Sequence, residues 1–419
     1  MKADLIINNI KTIYTPNLKA PIKGKLMNNI ELINNGYIAI QGGIIISLGT
    51  GKGLEYKDDK TIIEDANQKI VLPGFIDSHS HLVHAGSRED EYEDLKKGTP
   101  YLDILNRGGG ILGTVFKTRK ASFEELYEKA YKSLETMLKF GVTVLESKSG
   151  YGLDYETERK QLLINKKLSE HQPIYLKSTY MGAHAYPLEY KNNHAQYLEN
   201  MVEDMIKFKD ENLFDAIDVF CENSVFSINE TRYLLEKAKS LGYQIKMHAD
   251  EIVSLGGAGL GVELGCTSVD HLMAISDEDI EKLASSNTVA NLLPGTSFYL
   301  KKDYARARKM IDSGVAVSIA GDYNPGSCPT ENFQFVMSLA SNYLNMSAEE
   351  ILTAVTINPA YHLGLSKTKG SLEVNKDADL ILVDSPNLSY MFYHFGINHV
   401  TDVFIKGEKV VENQMIVRK

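Results

Sequence analysis

The sequence predicts an α/β protein in which a parallel (β/α)8 barrel is inserted into a small β-sandwich formed by both ends of the chain. Three observations predict this fold class. Both chain ends consist of short strand-like segments, the middle alternates apolar runs with amphipathic segments, and this middle part has roughly 290 residues, the usual size of such a barrel. We therefore assign residues 1–70 and 365–419 of the 419-residue chain to the sandwich and residues 71–364 to the barrel.

The strand-like segments at the two ends are short apolar runs bounded by Asn and Gly. This pattern is typical of antiparallel strands. Neither end alone buries both faces of a sheet, so we expect the two ends to share one sandwich. The segments are Asp4–Ile10, Tyr37–Ile40, Ile44–Leu48, Thr61–Ala66, Ala378–Asp384, Val400–Ile405 and Lys409–Val411.

Eight apolar runs in the middle of the chain are predicted barrel strands, each followed by a helical pattern. In the stretch Ser122–Phe140, apolar residues recur at helical spacing, Ser122 and Glu125 form a capping box at its start, and Gly141 ends it. The strands are Val71–Asp77, Val142–Ser147, Ile174–Met181, Ala216–Glu222, Gln244–His248, Ser268–His271, Thr288–Leu292 and Val315–Asp322.

Charge and composition exclude several classes of protein. The chain carries 45 Lys and Arg against 55 Asp and Glu, a net charge of −10, which disfavours a nucleic-acid or anionic-membrane surface. Three scattered cysteines indicate free thiols in a reducing compartment. The first residues lack the apolar region of a signal peptide, and no run is long enough for a membrane helix. We therefore expect a cytoplasmic protein with no nucleic-acid or membrane partner.

Metal-ligating residue types stand at the C-terminal ends of the predicted barrel strands, the edge where active sites of such barrels lie. His79 and His81 are two residues apart, so both side chains point to the same face of an extended strand. His248 ends the fifth strand and Asp322 ends the eighth. Three imidazoles and a carboxylate suit Zn²⁺ or iron, with a position left for water. The sequence therefore predicts one metal ion per chain on these four residues.

Four motifs carry a resemblance to a known family. The stretch Val71–His81 (VLPGFIDSHSH) resembles the opening metal motif of the amidohydrolase superfamily, whose members also split a small β-sandwich around a metal barrel. His81–Glu89 (HLVHAGSRE), Lys148–Leu153 (KSGYGL) and Asp322–Ser327 (DYNPGS) resemble the imidazolonepropionase family within it. Relatives with two metals carry a bridging lysine after the fourth strand, where this chain has Glu222. The resemblance therefore implies a single ion, Zn²⁺, Fe²⁺ or Fe³⁺.

The resemblance implies a hydrolase of histidine degradation that opens the ring of 4-imidazolone-5-propanoate to give N-formimidoyl-L-glutamate. A metal-activated water is expected to attack the ring carbonyl. We assign Glu251 and His271 to proton transfer, with Asp322 as a further candidate base, and His184 and protonated His271 to the developing oxyanion. Which of Glu251, His271 and Asp322 is the general base stays open.

The expected substrate is an anion, so its tail needs a local cation. Arg88 lies inside the second motif, and a guanidinium binds a carboxylate through two parallel hydrogen bonds. The resemblance is also compatible with a homodimer. The other expected substrate contacts are Tyr101, Tyr151, His184, Glu251, Asn324, Gly326 and Ser327.

Two alternatives remain. A single-metal aminohydrolase of the same superfamily, acting on guanine or cytosine, shares the metal residues but has no need of Arg88. A non-catalytic barrel acting as an interaction protein typically loses metal ligands, and this chain has the full set. Two further expectations concern Lys246, predicted to form a buried ion pair with Glu222 or Glu146, and Gly108–Gly110, predicted to be a flexible segment near the mouth.

Overall fold

A computed structural model of the chain describes residues 2–98 and 109–418. It confirms the predicted fold class, a nearly closed parallel barrel with a separate sheet built from both chain ends. The N-terminal strands are β1 (Leu5–Pro16), β2 (Ile30–Gln41), β3 (Ile44–Thr50), β4 (Ile62–Asp65) and β5 (Ile70–Pro73), with short 3-10 helices at Gly24–Asn28 and Leu54–Tyr56.

The barrel strands follow one another around the barrel in chain order, and every neighbouring pair is parallel. This arrangement brings all their C-terminal ends to one rim. The strands are β6 (Phe75–Asp77), β7 (Val142–Lys148), β8 (Tyr175–Ala183), β9 (Ala216–Cys221), β10 (Gln244–Ala249), β11 (Ser268–His271), β12 (Val289–Leu292) and β13 (Val317–Ile319).

The barrel closes through residues that follow its first and last strands. A parallel bridge joins Ser80 to Tyr323. The backbone N–H of Asp322 donates to the carbonyl of His79 at 2.9 Å, and that of His81 donates to Tyr323 at 2.8 Å. Three of the four predicted metal ligands therefore lie in the backbone contact that joins the two ends of the barrel.

Amphipathic helices surround the barrel. The predicted capping box is confirmed at α3, where the Glu125 N–H donates to Ser122 Oγ at 3.1 Å and the Ser122 N–H donates to Glu125 Oε2 at 2.8 Å. A 3-10 turn lies at Leu188–Tyr190. The helices are α1 (Glu89–Lys96), α2 (Gly110–Lys120), α3 (Phe123–Lys139), α4 (Tyr155–His171), α5 (His194–Glu211), α6 (Ile228–Ser240), α7 (Gly257–Leu264), α8 (Asp277–Ala284), α9 (Pro294–Leu300), α10 (Ala307–Asp312), α11 (Phe333–Tyr343), α12 (Ala348–Ala354), α13 (Ile357–His362) and α14 (Tyr390–Tyr393).

The C-terminal strands complete the sheet begun by β1–β5. They are β14 (Leu380–Val383), β15 (Val400–Ile405), β16 (Glu408–Glu412) and β17 (Met415–Ile416), and β14 pairs antiparallel with β5. The period-2 alternation gives this sheet two apolar faces: Leu72 and Ile381 pack on the barrel core, whereas Val71 and Leu380 pack into the sheet's own core. Both ends of the chain thus contribute to the same core.

Several predicted strands differ in length from the observed ones, and one of them is two separate strands in the structure. The sequence predicted a single strand over Val71–Asp77, but the structure divides it at Gly74, so the predicted boundary after residue 70 falls inside β5. The N–H of Gly74 donates to Asp379 at 3.0 Å and the N–H of Phe75 donates to Gly141 at 2.9 Å. The chain leaves one sheet and enters the other here, a change that an unbroken apolar run does not reveal.

No helix in residues 2–98 and 109–418 is long and apolar enough to cross a membrane. The cysteines Cys221, Cys266 and Cys328 are free thiols, and all three are buried.

Gly74 offers a test of this connection between the two sheets. A Cβ at this position would lie 2.3 Å from Thr143 Oγ1 and 2.4 Å from Thr143 Cγ2, both inside the barrel wall. We expect Gly74→Ala to lower the free energy of unfolding by about 1–3 kcal/mol, the usual cost of overpacking. The measurement is chemical denaturation followed by circular dichroism.

Gly49→Ala is the matched control, because its Cβ would meet Tyr37 at an ordinary contact distance of 3.5 Å. We expect this variant to unfold within roughly 0.5 kcal/mol of the unmodified chain. Equal stability of the two variants would contradict a tight crossing at Gly74.

Candidate metal centre and active site

The four predicted metal ligands converge at the rim of the barrel. His79 and His81 follow β6, His248 lies in β10, and Asp322 follows β13. One ring nitrogen from each of the three histidines lies within 4.8 Å of those of the others. The Oδ1 atom of Asp322 lies 3.6 Å from Nε2 of His79 and 3.9 Å from Nε2 of His81. All four side chains are buried.

Two carboxylates beneath the rim orient two of these imidazoles. Nδ1 of His79 lies 2.6 Å from Asp270 Oδ2, and Nδ1 of His248 lies 3.0 Å from Asp218 Oδ1. A carboxylate accepts, so each Nδ1 carries a proton and each Nε2 lone pair faces the lumen. Partners of this kind fix the tautomer and orientation of metal-ligating histidines.

Asp322 is held by a third partner. The hydroxyl of Thr296, at the start of α9, donates to Asp322 Oδ2, while Oδ1 faces the histidines. Burial raises the pKa of Asp322 to about 6. Its backbone is in the left-handed region, with φ of 55°, a conformation that Asp tolerates better than most residues. The strand therefore turns sharply at the ligand.

A buried charge cluster lies directly under these ligands; we use this name for Glu146, Lys148, Asp218, Lys246 and Asp270. Lys148 Nζ is 2.7 Å from Asp218 Oδ2, 3.1 Å from Glu146 Oε1 and 4.0 Å from Asp270 Oδ2. Lys246 pairs with the second oxygen of Glu146. Burial alone lowers the pKa of Lys148, but the Asp218 and Glu146 carboxylates outweigh it and raise that pKa, so the ammonium stays charged.

The predicted ion pair of Lys246 with Glu146 is thus confirmed, whereas the predicted alternative partner, Glu222, is wrong. Glu222 instead accepts backbone N–H groups of Ile252 at 2.7 Å and Asn223 at 2.7 Å. It lies at the end of β9 and so holds the loop that follows β10, the loop that carries Glu251.

The residues at this site fit a metal ion. Nε2 of His79 is buried and has no hydrogen-bond partner in the part of the chain that the structure describes. Such an atom costs free energy unless something binds it. Burial lowers the pKa values of His79 and His81 well below the ordinary value, so both imidazoles are neutral and able to coordinate. Three nitrogens and one carboxylate oxygen suit Zn²⁺ or iron.

Glu251 and His271 lie together beside the ligands. Glu251 Oε2 is 3.7 Å from Nε2 of His271, whose ring centroid is 4.9 Å from that of His248. Burial raises the pKa of Glu251 to about 7, while burial, together with the neighbouring His248, lowers the pKa of His271. A carboxyl group with that pKa can both accept and release a proton near neutral pH.

His184 and Tyr151 form the opposite wall. The His184 ring stacks on His81 with centroids 4.8 Å apart, and Tyr151 lies 5.1 Å from His184. Nδ1 of His184 donates to the Gly150 carbonyl at 2.9 Å, and burial lowers the pKa of His184 to about 3. Nε2 of this neutral ring is therefore a hydrogen-bond acceptor that faces the site.

The loop that carries Tyr151 is tied to one buried carboxylate. Glu158, on α4, accepts the backbone N–H groups of Gly150 at 3.0 Å, Gly152 at 2.8 Å and Leu153 at 2.8 Å. Three convergent donors leave this loop little freedom. Burial raises the pKa of the Tyr151 hydroxyl, which stays a neutral donor.

Arg88 and the loop after β13 meet at the rim. Arg88 Nε donates to Thr114 Oγ1 at 2.8 Å, and its buried Nη2 has no hydrogen-bond partner among the described residues. Asn324 Oδ1 accepts the backbone N–H groups of Gly326 and Ser327, each at 2.8 Å. The guanidinium packs so closely on Gly326 that a Cβ there would lie 2.3 Å from Arg88 Nη1.

Two sequence predictions fall on residues that the structure does not describe. Tyr101 lies outside the described ranges, as does Gly108 of the predicted Gly108–Gly110 segment. Gly109 precedes α2, and Gly110 is its first residue.

Sequence reasoning missed several partner residues. Asp218 and Asp270, which orient the histidines, lie inside fully buried strands, and a charge inside a predicted barrel strand was the signal that could have found them. Thr296 and Glu158 carried no such signal, because each lies on a helix and reaches its partner only through the tertiary fold.

Comparison with known proteins shows which family this chain resembles. Residues 70–410 match the model of the amidohydrolase family. The chain is 50% identical over 412 residues to the imidazolonepropionase of Fusobacterium nucleatum subsp. nucleatum, covering 98% of this chain and 99% of that protein. It is 48% identical over 422 residues to the imidazolonepropionase of Alkaliphilus oremlandii, covering all of both chains.

Solved structures show the same fold at low identity. The guanine deaminase of E. coli superimposes with a TM-score of 0.75 at 14% identity, covering 97% of this chain and 99% of that one. A zinc-bound adenosine deaminase from Xanthomonas campestris gives a TM-score of 0.73 at 17% identity, covering 100% of this chain and 95% of that one. With its full-length relatives at 48–50% identity, the chain belongs to the metal-dependent amidohydrolase family and, within it, to the imidazolonepropionases.

Proposed function

We propose that this chain hydrolyses 4-imidazolone-5-propanoate to N-formimidoyl-L-glutamate, a step of histidine degradation. Water adds to the ring carbonyl carbon, the carbon–nitrogen bond of the cyclic amide breaks, and the released nitrogen takes up a proton. The name of the 48–50% identical relatives supports this activity. The observation that carries it is Arg88, whose buried Nη2 has no hydrogen-bond partner among residues 2–98 and 109–418 and lies beside an imidazole-lined site.

The proposed metal residues are His79, His81, His248 and Asp322, and the proposed ion is Zn²⁺ or iron. When bound, such an ion lowers the pKa of a water molecule toward neutrality and polarises a carbonyl. Asp218 and Asp270 hold the Nδ1 protons of His248 and His79, so that these ligands need no reorganisation on binding.

Glu251 is the proposed general base, with His271 as its partner. The pKa of the Glu251 carboxyl group is close to neutrality, so this group can take a proton from the attacking water and deliver it to the leaving ring nitrogen. His271 Nε2 lies 3.7 Å from that carboxylate, beyond direct hydrogen-bond distance, and is the proposed partner for proton transfer through one bridging water. Asp322 is less suited to the base role, because one oxygen accepts from Thr296 and the other faces the histidines.

His184 receives a different role from the one predicted. The sequence suggested that it donates to an oxyanion, but its only proton lies on Nδ1, which donates to Gly150. Its low pKa disfavours a second proton. We therefore propose that Nε2 of His184 accepts an N–H of the substrate ring and that Tyr151 donates its hydroxyl to the substrate, which orients the ring for attack.

The test is loss of the ring absorbance of 4-imidazolone-5-propanoate with protein stripped by a chelator and then reloaded with Zn²⁺ or Fe²⁺. We expect turnover to disappear on stripping and to return on reloading. Ammonia release from guanine or cytosine exceeding this turnover would instead favour an aminohydrolase. The neutral rings of those substrates leave the Arg88 guanidinium without a ligand.

Replacement of Glu251 by Gln keeps the size of the side chain but removes its ability to accept a proton. We expect kcat to fall by about 10²–10⁴-fold, the usual contribution of a general base. KM should change little, since the amide still fills the same space. Steady-state kinetics measure both parameters.

Glu263→Gln is the control for this substitution, because Glu263 is an exposed residue of α7 that pairs with Arg232. Its kcat should match that of the unmodified chain. A Glu251→Gln variant with unchanged kcat would show that another group is the base.

Removal of the Arg88 guanidinium should weaken substrate binding more than it slows the chemical step. We expect Arg88→Ala to raise KM by about 10–100-fold, the effect of losing hydrogen bonds to a charged group, with a smaller change in kcat. The measurement is initial rate against substrate concentration.

Arg418→Ala is the matched control, since Arg418 is 80% exposed near the C-terminus. Its KM should stay at the level of the unmodified chain. A large fall in kcat with unchanged KM for Arg88→Ala would contradict the assignment of Arg88 to the substrate tail.

A further inference from the structure

Helix α2 holds the segment that carries Arg88. Thr114, Lys117 and Thr118 are spaced at i, i+3 and i+4, so they lie on one face of this helix. Thr118 Oγ1 accepts the N–H of Ala85 at 3.0 Å, and Lys117 Nζ donates to the carbonyl of Ser87 at 2.9 Å. These contacts fix the backbone on which Arg88 stands.

Thr114 makes the contact with the guanidinium itself. Its side chain is 2% exposed, and its hydroxyl accepts from Arg88 Nε at 2.8 Å. On the other side, Arg88 Nη1 lies against the backbone of Gly326, where a Cβ would lie only 2.3 Å away. The planar guanidinium is therefore held by Thr114 at its Nε edge and by Gly326 at Nη1.

The type of acceptor at Nε matters as much as its position. A hydroxyl orients the guanidinium without neutralising it, whereas a carboxylate at the same place would pair with its charge. With Nε engaged by Thr114, the remaining buried donor without a described partner is Nη2. The positive charge thus stays available for an anionic ligand.

We propose that Thr114 is a positioning residue that determines the preference of this site for substrates with a carboxylate tail. It acts through Arg88 and does not touch the substrate. The inference rests on the proposed function, because it assumes that Arg88 binds the propanoate group. Without the hydroxyl, the Nε–H of Arg88 lacks its acceptor, and the guanidinium rotates to find another partner.

The experiment compares Thr114→Val, which keeps the shape of the side chain, with Thr114→Ser, which keeps the hydroxyl. Each is measured on 4-imidazolone-5-propanoate and on its uncharged propanamide analogue. For the anion, we expect Thr114→Val to raise KM about tenfold, as for one lost hydrogen bond to a charged group, with kcat within about twofold. Thr114→Ser should restore KM, and neither variant should change KM for the propanamide.

A double-mutant cycle separates this role from a merely structural one. In the Arg88→Ala background, Thr114→Val should have no further effect on KM, because the group it positions is gone. A rise in KM for the anion and the propanamide alike, or the same rise in the Arg88→Ala background, would overturn the inference. So would an unchanged KM for Thr114→Val.

The same measurements distinguish failure of this inference from failure of the proposed function. If Arg88→Ala raises KM and Thr114→Val does not, only the role of Thr114 is overturned. If Arg88→Ala leaves KM unchanged, or if the unmodified, metal-loaded chain does not turn over the substrate, the proposed function fails and the role of Thr114 fails with it. Thermal unfolding of each variant checks that the fold is retained.

Discussion

The ammonium group of Lys148 lies between the carboxylates of Asp218 and Glu146, at 2.7 Å and 3.1 Å, in the buried interior of the barrel. Removing one partner from a buried ion pair typically costs roughly 3–5 kcal/mol, because the other charge is left without compensation. The three acids of the buried charge cluster are tolerated because Lys148 and Lys246 lie among them. The arrangement of the rim above depends on this balance.

Two sets of hydrogen bonds connect the buried charge cluster to the proposed metal residues at the rim. Asp218 and Asp270 face the Lys148 ammonium group at 2.7 Å and 4.0 Å, and they accept the Nδ1 protons of His248 and His79. The backbone carbonyl of His79 in turn accepts the N–H of Asp322, the contact that closes the barrel. Three of the four proposed metal residues are therefore part of the contact that closes the barrel, so a disturbance of the cluster affects the ligands and the fold together.

The sequence predicted the fold class because its signals are local: period-2 strands at both ends, apolar runs alternating with capped helices, and ligand-type residues at strand ends. It placed His79, His81, His248 and Asp322 together for the same reason. It did not predict that Asp218 and Asp270 pair with histidines, because these contacts depend on how the strands are aligned. In that alignment, Lys246 lies opposite Asp218 across β9 and β10, and His248 lies opposite Asp270 across β10 and β11. The break at Gly74 and the proton on Nδ1 of His184 likewise depend on tertiary contacts.

The most direct test of this account is the zinc affinity of Lys148→Met, measured by competition with a chromophoric chelator, together with its thermal unfolding. Loss of a positive charge alone would strengthen cation binding, whereas loss of histidine orientation weakens it by about 10–100-fold. We expect Lys148→Met to bind zinc more weakly and to be less stable, whereas Lys367→Met, at an exposed position, should be unchanged in both properties. Zinc affinity and unfolding temperature of Lys148→Met equal to those of the unmodified chain would contradict this account.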